Sequence, residues 1–190
     1  MAAEIPALIK WIFFLAGSAG LVYVSRASLP RVTAHGFYRF FAWEFILALI
    51  LFNLEAWFRD PLAVHQIISW VLLAISLFLV IHAVQLLRLI GKPDPNRAAE
   101  GPVLGFEKTT ALVVVGAYRY IRHPLYSSLF FLTWGVFFKS PSWLAALLAA
   151  AATLFLVATA RVEEAENTRF FGPAYQTYKQ RTKMFIPFLF

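Results

Sequence analysis

The chain has no cysteine, which excludes disulfides, thiolate metal sites and cysteine nucleophiles together. Charge is also scarce. Only 14% of the 190 residues are Asp, Glu, Lys or Arg, where a soluble domain carries about a quarter. Acidic residues are the rarer sign, 10 against 17 Lys and Arg, for a net charge of +7. A basic balance first suggests nucleic acid. Here the positive residues fall at the ends of apolar runs, so no nucleic-acid partner is expected and membrane topology accounts for them. No internal repeat or low-complexity tract is present. What the chain has in excess is apolar sequence, 61% of residues and arranged in long runs, which is the composition of a membrane protein.

Five apolar segments predict an all-α, polytopic helix bundle of about five transmembrane helices. They cover about residues 5–24, 37–58, 64–90, 124–138 and 142–166. The first follows Glu4 rather than a basic cluster, so it reads as a retained helix and not a signal peptide. The second contains Glu44, Asn53 and Glu55. The two carboxylates are 11 residues apart, on one face near opposite helix ends, and Asn53 suits an interhelical hydrogen bond. The fourth segment reaches roughly 22 Å at 1.5 Å per residue, short of the ~30 Å hydrocarbon core. The fifth reaches roughly 37 Å and projects beyond it.

Lys and Arg divide unevenly between the two sides. Fourteen of the 17 fall on one side, and only Lys10, Arg59 and Lys139 on the other. This places the N-terminus outside and the C-terminus in the cytoplasm. The loop 91–123 and the tail 167–190 then share the cytoplasmic face. The chain divides into N-terminal spans, residues 1–90, and a C-terminal region, residues 91–190, that holds the polar chemistry. Within the loop, "ALVVV" at 111–115 fits a short strand or an apolar lining against the membrane.

Three constellations carry that chemistry. In "GAYRYIRHPLYSS", residues 116–128, Pro124 suits the first position of a helix. The N–H groups of Leu125, Tyr126 and Ser127 would then lack intrahelical partners, and with Arg122 they make an anion site. His123 can hydrogen-bond on either nitrogen, and Tyr126 is an aromatic wall with a polar tip. The structural alternative is anchoring in the headgroup layer. In "RVEEAE", residues 161–166, Arg161 and Glu164 share a helix face while Glu163 lies about 100° from Glu164. Acidic groups at a helix C-terminus oppose the macrodipole, so a bound cation or ammonium would offset them. The alternative is a solvated helix end with an Arg161–Glu164 pair. Residues 169–188 interleave Phe170, Phe171, Tyr175, Tyr178 and Phe185 with Arg and Lys, and read as an amphipathic interfacial helix behind a Gly-Pro break.

In order, "VVGAYRYIRHPLY", a helical hairpin, "EE" and "FFGPAYQTYKQRTKMFIP" resemble the integral-membrane methyltransferases, that is, the isoprenylcysteine carboxyl methyltransferases and phospholipid N-methyltransferases. The resemblance covers roughly residues 91–190. It implies S-adenosylmethionine (SAM) as methyl donor on the cytoplasmic side, under the C-terminal tail, and a lipophilic acceptor entering from the bilayer. It implies a cofactor site of Tyr118, Arg122, His123, Pro124, Tyr126, Glu164 and Tyr175. Of the two carboxylates, Glu164 is the one assigned to the cofactor. Arg161 matches an arginine that handles the acceptor, and with Glu163 forms the expected catalytic pair. No metal is implied. Ser127-Ser128 departs from the family, where many relatives step to glycine. The loop "GKPDPNRAAEGPVL" looks more like bacterial relatives, so a prokaryotic cytoplasmic membrane is expected.

The chemistry of SAM fits these residues. Its carboxylate suits Arg122 or Arg119, its ammonium or ribose suits a carboxylate, and its adenine suits Tyr and Phe walls. Methyl transfer is an in-line displacement, in which alignment alone can supply ~7–11 kcal/mol of the barrier. A carboxylate acceptor needs no base; an amine must lose a proton, to Glu163, Glu164 or His123. Two rival classes remain. A membrane NADPH-dependent sterol-type reductase has a similar Arg-His-x-x-Tyr-like signature, but its larger, more anionic cofactor would have one short basic loop to hold it. A non-enzymatic scaffold or transporter subunit would set its polar groups near the midplane, whereas these gather at one interface.

Overall fold

The computed structural model describes residues 5–94 and 108–189. Glu4, Arg97 and most of the 91–104 loop read above lie outside the described residues. The described chain forms six α-helices: α1 (Ala7–Ser25), α2 (His35–Phe52), α3 (Val64–Leu89), α4 (Pro124–Phe137), α5 (Trp143–Phe171) and α6 (Pro173–Arg181). Helices α1, α2, α3 and α5 are long and apolar enough to cross a membrane; α4, at 14 residues, is the short one. The protein is an integral-membrane helix bundle.

Small residues set the packing. On α5, Ala145, Ala149, Ala152, Leu156 and Ala160 recur at steps of three and four and are fully buried. Such a stripe lets a neighbouring backbone approach closely, and α2 packs along it. Helix α4 pairs with α3, and hydroxyls from α3 tie the two together. Ser69 donates to the Gly135 carbonyl and Ser76 to the Ser128 carbonyl, both at 2.7 Å. Gly135 permits the close approach, since a Cβ would sit 3.0 Å from the Leu73 side chain and push it aside. Asn53 bonds between elements as its position suggests, its Nδ2 donating to the Val136 carbonyl at 2.8 Å.

Three expectations are corrected. The second segment ends at Phe52, where Asn53 closes the helix, and Glu55 lies beyond it in the 3₁₀ turn Leu54–Ala56. Glu44 and Glu55 therefore do not share a helix. Glu44 accepts from the Ser18 hydroxyl of α1 at 2.7 Å, and Glu55 pairs with Lys10 at 2.7 Å. "ALVVV" forms no strand; the segment makes only an isolated bridge at its approach, Pro93 to Thr109. Finally, residues 169–188 are not one interfacial helix. Helix α5 continues to Phe171, reaching about 44 Å. Gly172 breaks it with φ +60°, ψ −137°, a conformation reserved for glycine, and Pro173 opens α6. The tail then folds inward, with Tyr175, Tyr178 and Phe185 buried.

The opposite end of the bundle is locked by Lys139, in the α4–α5 connection. Its side chain is buried, with Nζ 3.3 Å from the Trp70 ring centroid and 3.1 Å from Gln66 Oε1. A cation over an indole face is attracted by the ring quadrupole. Burial still pulls this ammonium below the ordinary lysine range.

Candidate active site

The site forms where the N-terminus of α4, the C-terminal end of α5 and the returning tail meet. Gly116 starts the approach at φ +59°, and a Cβ there would lie 2.5 Å from His82 Nε2. The 3₁₀ turn Gly116–Arg119 follows, then the extended residues 121–123. Pro124 takes the first position of α4, as its missing N–H predicts. Ser127 differs from expectation: its N–H is the first intrahelical donor and reaches the His123 carbonyl at 2.8 Å. The open N–H groups are one residue fewer than the sequence suggests.

The tail runs parallel to this stretch and holds it. Lys183 N–H donates to the Tyr120 carbonyl at 3.0 Å, and Arg122 N–H to the Lys183 carbonyl at 2.7 Å. The Tyr178 hydroxyl donates to the Tyr118 carbonyl at 2.7 Å, with the Ile121 carbonyl at 3.3 Å. Burial pushes the Tyr178 and Tyr175 hydroxyls well above the ordinary tyrosine range, and for Tyr175 the charges of Glu163 and Glu164 add to it. Both remain proton donors at every physiological pH.

The two adjacent carboxylates have different surroundings. Glu164 is 4% exposed and held by two cations, Arg122 Nε at 2.7 Å and Lys179 Nζ at 2.5 Å, with His123 Nε2 at 3.5 Å. Arg122 also donates to the Thr182 carbonyl, so Glu164 joins the signature to the tail. Glu163 accepts from the Tyr126 hydroxyl, and from Asn167 Nδ2 at 3.4 Å. Its side chain keeps 28% of its exposure and lies 4.0 Å from His123 Nδ1. His123 thus stands between the two carboxylates, its ring stacked on Tyr126 at 5.4 Å.

These groups wall a cleft that encloses about 610 Å³, part of it open to solvent. Tyr118, Arg122, His123, Tyr126, Glu163 and Tyr175 line it directly. Glu164 stands behind Arg122 and His123. Pro124 is buried at the helix start and does not line the cleft. Arg161 is not brought in: it is exposed, and at 100° per residue it lies about 200° around α5 from Glu163. Nor does it pair with Glu164, which has turned to Arg122 and Lys179. Arg119, the other candidate for an anion, also lies outside the cleft lining.

The structure adds groups that the sequence reading missed. Asn167 and Phe171 line the cleft. They sit four and eight residues after Glu163, a helical spacing that identifies them once α5 is known to continue that far. Tyr178 was seen only as a tail aromatic. His35 gave no signal at all. It opens α2, 131 residues away, and its Nδ1 meets Glu166 Oε2 at 2.7 Å while its backbone N–H donates to Glu166 Oε1 at 3.2 Å. The charges of His35 and Arg39 both act on Glu163 from that side.

Among the described residues no cluster of His, Asp and Glu is arranged to hold a metal. Two buried polar atoms of the site have no hydrogen-bond partner, His123 Nε2 and the Tyr175 hydroxyl. Buried polar groups are ordinarily paired, so exceptions in a cleft point to a ligand.

Comparison with known proteins bears on the family. Residues 72 in number align at 29% identity with a methanethiol S-methyltransferase of Crocosphaera subtropica, covering 38% of this chain and 28% of that relative's length. No solved structure matches the chain. A family model described as phospholipid methyltransferase matches residues 64–174. That span exceeds half the chain and runs from α3 through the signature and both carboxylates into α6; the protein belongs to the phospholipid methyltransferase family.

Proposed function

We propose that the cleft binds S-adenosylmethionine and that the protein transfers its methyl group to a lipophilic acceptor arriving from the bilayer. One observation carries this reading: the Arg-His-Pro signature and the carboxylate pair come from separate elements and meet at 3.5 Å between His123 and Glu164, directly behind a cleft wall that His123 and Glu163 form. When bound, SAM supplies an electrophilic methyl carbon on a positively charged sulfonium.

The residues present fit such a molecule. Glu163 offers a carboxylate to its positive groups, and the Tyr126 hydroxyl and Asn167 fix where that carboxylate points. The Tyr175 hydroxyl, buried and without a hydrogen-bond partner, supplies a polar contact. Tyr118, Tyr126, Phe171 and Tyr175 are aromatic walls for a purine. Glu164 acts at one remove, holding Arg122 and the tail in place. In this arrangement Glu163, rather than Glu164, is the carboxylate that meets the ligand.

Charge supports a sulfonium over a dinucleotide phosphate. The cleft's arginine is already paired with Glu164, so the described lining has no uncompensated Arg or Lys for NADPH. The relatives' names point to two acceptor types, a phospholipid and a thiol. An amine or thiol acceptor loses a proton on methylation, and Glu163, facing the cleft, is placed to accept it. The excess of Lys and Arg at this end supports a cytoplasmic site.

The test is ligand binding by the purified protein in detergent. SAM and S-adenosylhomocysteine should raise its melting temperature, and NADPH should not. Stabilisation by NADPH alone, or by none of the three, would overturn the proposal. Incubation of lipid extracts with methyl-labelled SAM then identifies the acceptor, and Glu163→Gln should abolish labelling of an amine or thiol while retaining the fold.

A further inference from the structure

Next to the cleft lies a second concavity, between the Gly116–Arg119 turn and α6. It encloses about 1090 Å³, open to solvent, and Leu112 and Tyr178 wall both spaces. We propose that this groove binds the phosphate group of an anionic membrane phospholipid, with the lipid's chains directed over the neighbouring apolar rim.

The charge pattern supports this. Arg119 and Arg181 both line the groove, and among the described residues no Asp or Glu does. Neither arginine has an ion pair among the described residues. The adjacent cleft is the opposite case, since Arg122 and Lys179 are both taken up by Glu164. Two guanidinium groups lining one concavity offer an anion donors from both walls. Arginine's planar fork suits phosphate oxygens in particular.

The rim selects a lipid over free phosphate. Val114, Val115 and Tyr120 are each more than 40% exposed, and Phe188 is 81% exposed. Tyr120 and Phe188 lie with ring centroids 6.1 Å apart, and the Arg119 guanidinium lies 5.8 Å from the Tyr120 ring. Aromatic and aliphatic groups beside arginines form an amphipathic surface at the end of the helix bundle, where headgroups lie. Basic residues near a membrane surface favour anionic lipid, so a pair should favour anionic over zwitterionic lipid by roughly tenfold or more.

The experiment uses the full chain, delipidated in detergent, titrated with dioctanoyl phosphatidylglycerol and with dioctanoyl phosphatidylcholine, and read by native mass spectrometry. Wild type should prefer phosphatidylglycerol by roughly tenfold or more. Arg119→Gln with Arg181→Gln should remove the preference, and Arg119→Lys with Arg181→Lys should retain most of it. Arg31→Gln, at the same end of the bundle but outside the groove, should leave it intact. Equal affinity for the two lipids would overturn the proposal, as would an Arg31→Gln effect equal to that of the groove pair. Displacement of the lipid by an equal concentration of inorganic phosphate would overturn the choice of a lipid. None of these readings depends on methyl transfer, so they stand or fall apart from the function proposed for the cleft.

Discussion

Helices α1 and α4 are both apolar, yet the chain uses them in opposite ways. In α1 only Ser25 is buried, and the helix rests on α2 with its large side chains facing outward. Half of α4 is buried, although it is five residues shorter. Hydropathy identifies α1 easily and says little of value about it, because lipid-facing surface is what hydropathy measures. Helix α4 is too short to stand out as a span, and its importance lies at its N-terminus, where Pro124 leaves N–H groups open beside His123. The polar ties differ in the same way. The α4 end is held by a buried carboxylate with two cations and a histidine beside it, the α1 end by a more exposed carboxylate with one cation. Burial, and not the number of charges, should decide how much each tie matters.

The largest effect should therefore come from Glu164. Glu164→Gln keeps the shape and removes the charge, leaving the largely buried Arg122 without its counter-ion. Breaking a buried pair on one side costs about 3–5 kcal/mol, and the half-exposed Lys179 places this case at about 3 kcal/mol. Thermal unfolding in detergent should show a large drop in melting temperature, and SAM binding should weaken with it. A wild-type melting temperature would mean that burial does not set the strength of this tie, and the comparison with α1 would fail at its strongest point.

A smaller effect at the same end separates charge from neutral hydrogen bonding. Tyr178→Phe keeps the ring in the cleft wall and deletes the bond to the Tyr118 carbonyl. A buried acceptor left unpaired costs about 1–2 kcal/mol, so the variant should melt a few degrees lower. SAM affinity should fall only modestly, since Tyr178 holds the wall and the ligand contacts lie elsewhere. A loss of affinity as large as that of Glu164→Gln would show that the 118–121 backbone, more than the carboxylate, determines the cleft.

How far the sequence reveals all this depends on the range of each interaction. Helix number and approximate bounds follow from apolar runs, and the start of α4 follows from Pro124, because both are local properties. The end of α2 was misjudged since Leu54, Ala56, Trp57 and Phe58 continue the apolar run past Asn53. The tail was misjudged for a related reason: aromatic residues alternating with Lys and Arg suit a membrane surface, and equally suit a segment that buries its rings and pairs its charges. Tyr175 and Tyr178 do the second. Arg161 and Glu164 are neighbours by helical spacing, but Arg122 and Lys179 compete for the same carboxylate from other elements, and they win. The pairing of His35 with Glu166 spans 131 residues and has no local signature. The convergence of His123 with Glu163 and Glu164 was legible through the Lys and Arg topology and the order of the motifs, and the 100° between the two carboxylates foretold different surroundings without naming the partners.

The smallest effect belongs to the α1 end. Glu55 accepts from Lys10 and from the Ile5 N–H at 3.1 Å, and it lies at the protein surface. The Lys10 hydrogen bond holds its carboxyl below the ordinary range. A carboxyl depressed in the folded state stabilises fully above its unfolded value, and that contribution fades as pH falls through the folded one. Wild type should thus exceed Glu55→Gln in melting temperature by a small margin at neutral pH. The margin should disappear in acid, below the carboxylate range, and shrink in high salt, as exposed ion pairs do. Glu164→Gln should keep most of its deficit in high salt, because Glu164 and Arg122 are largely shielded from solvent and only Lys179 is exposed to it. If salt erased both deficits alike, the two ties would be of one kind, and the contrast between a lipid-facing helix held loosely and a site helix held by buried charge would have to be abandoned.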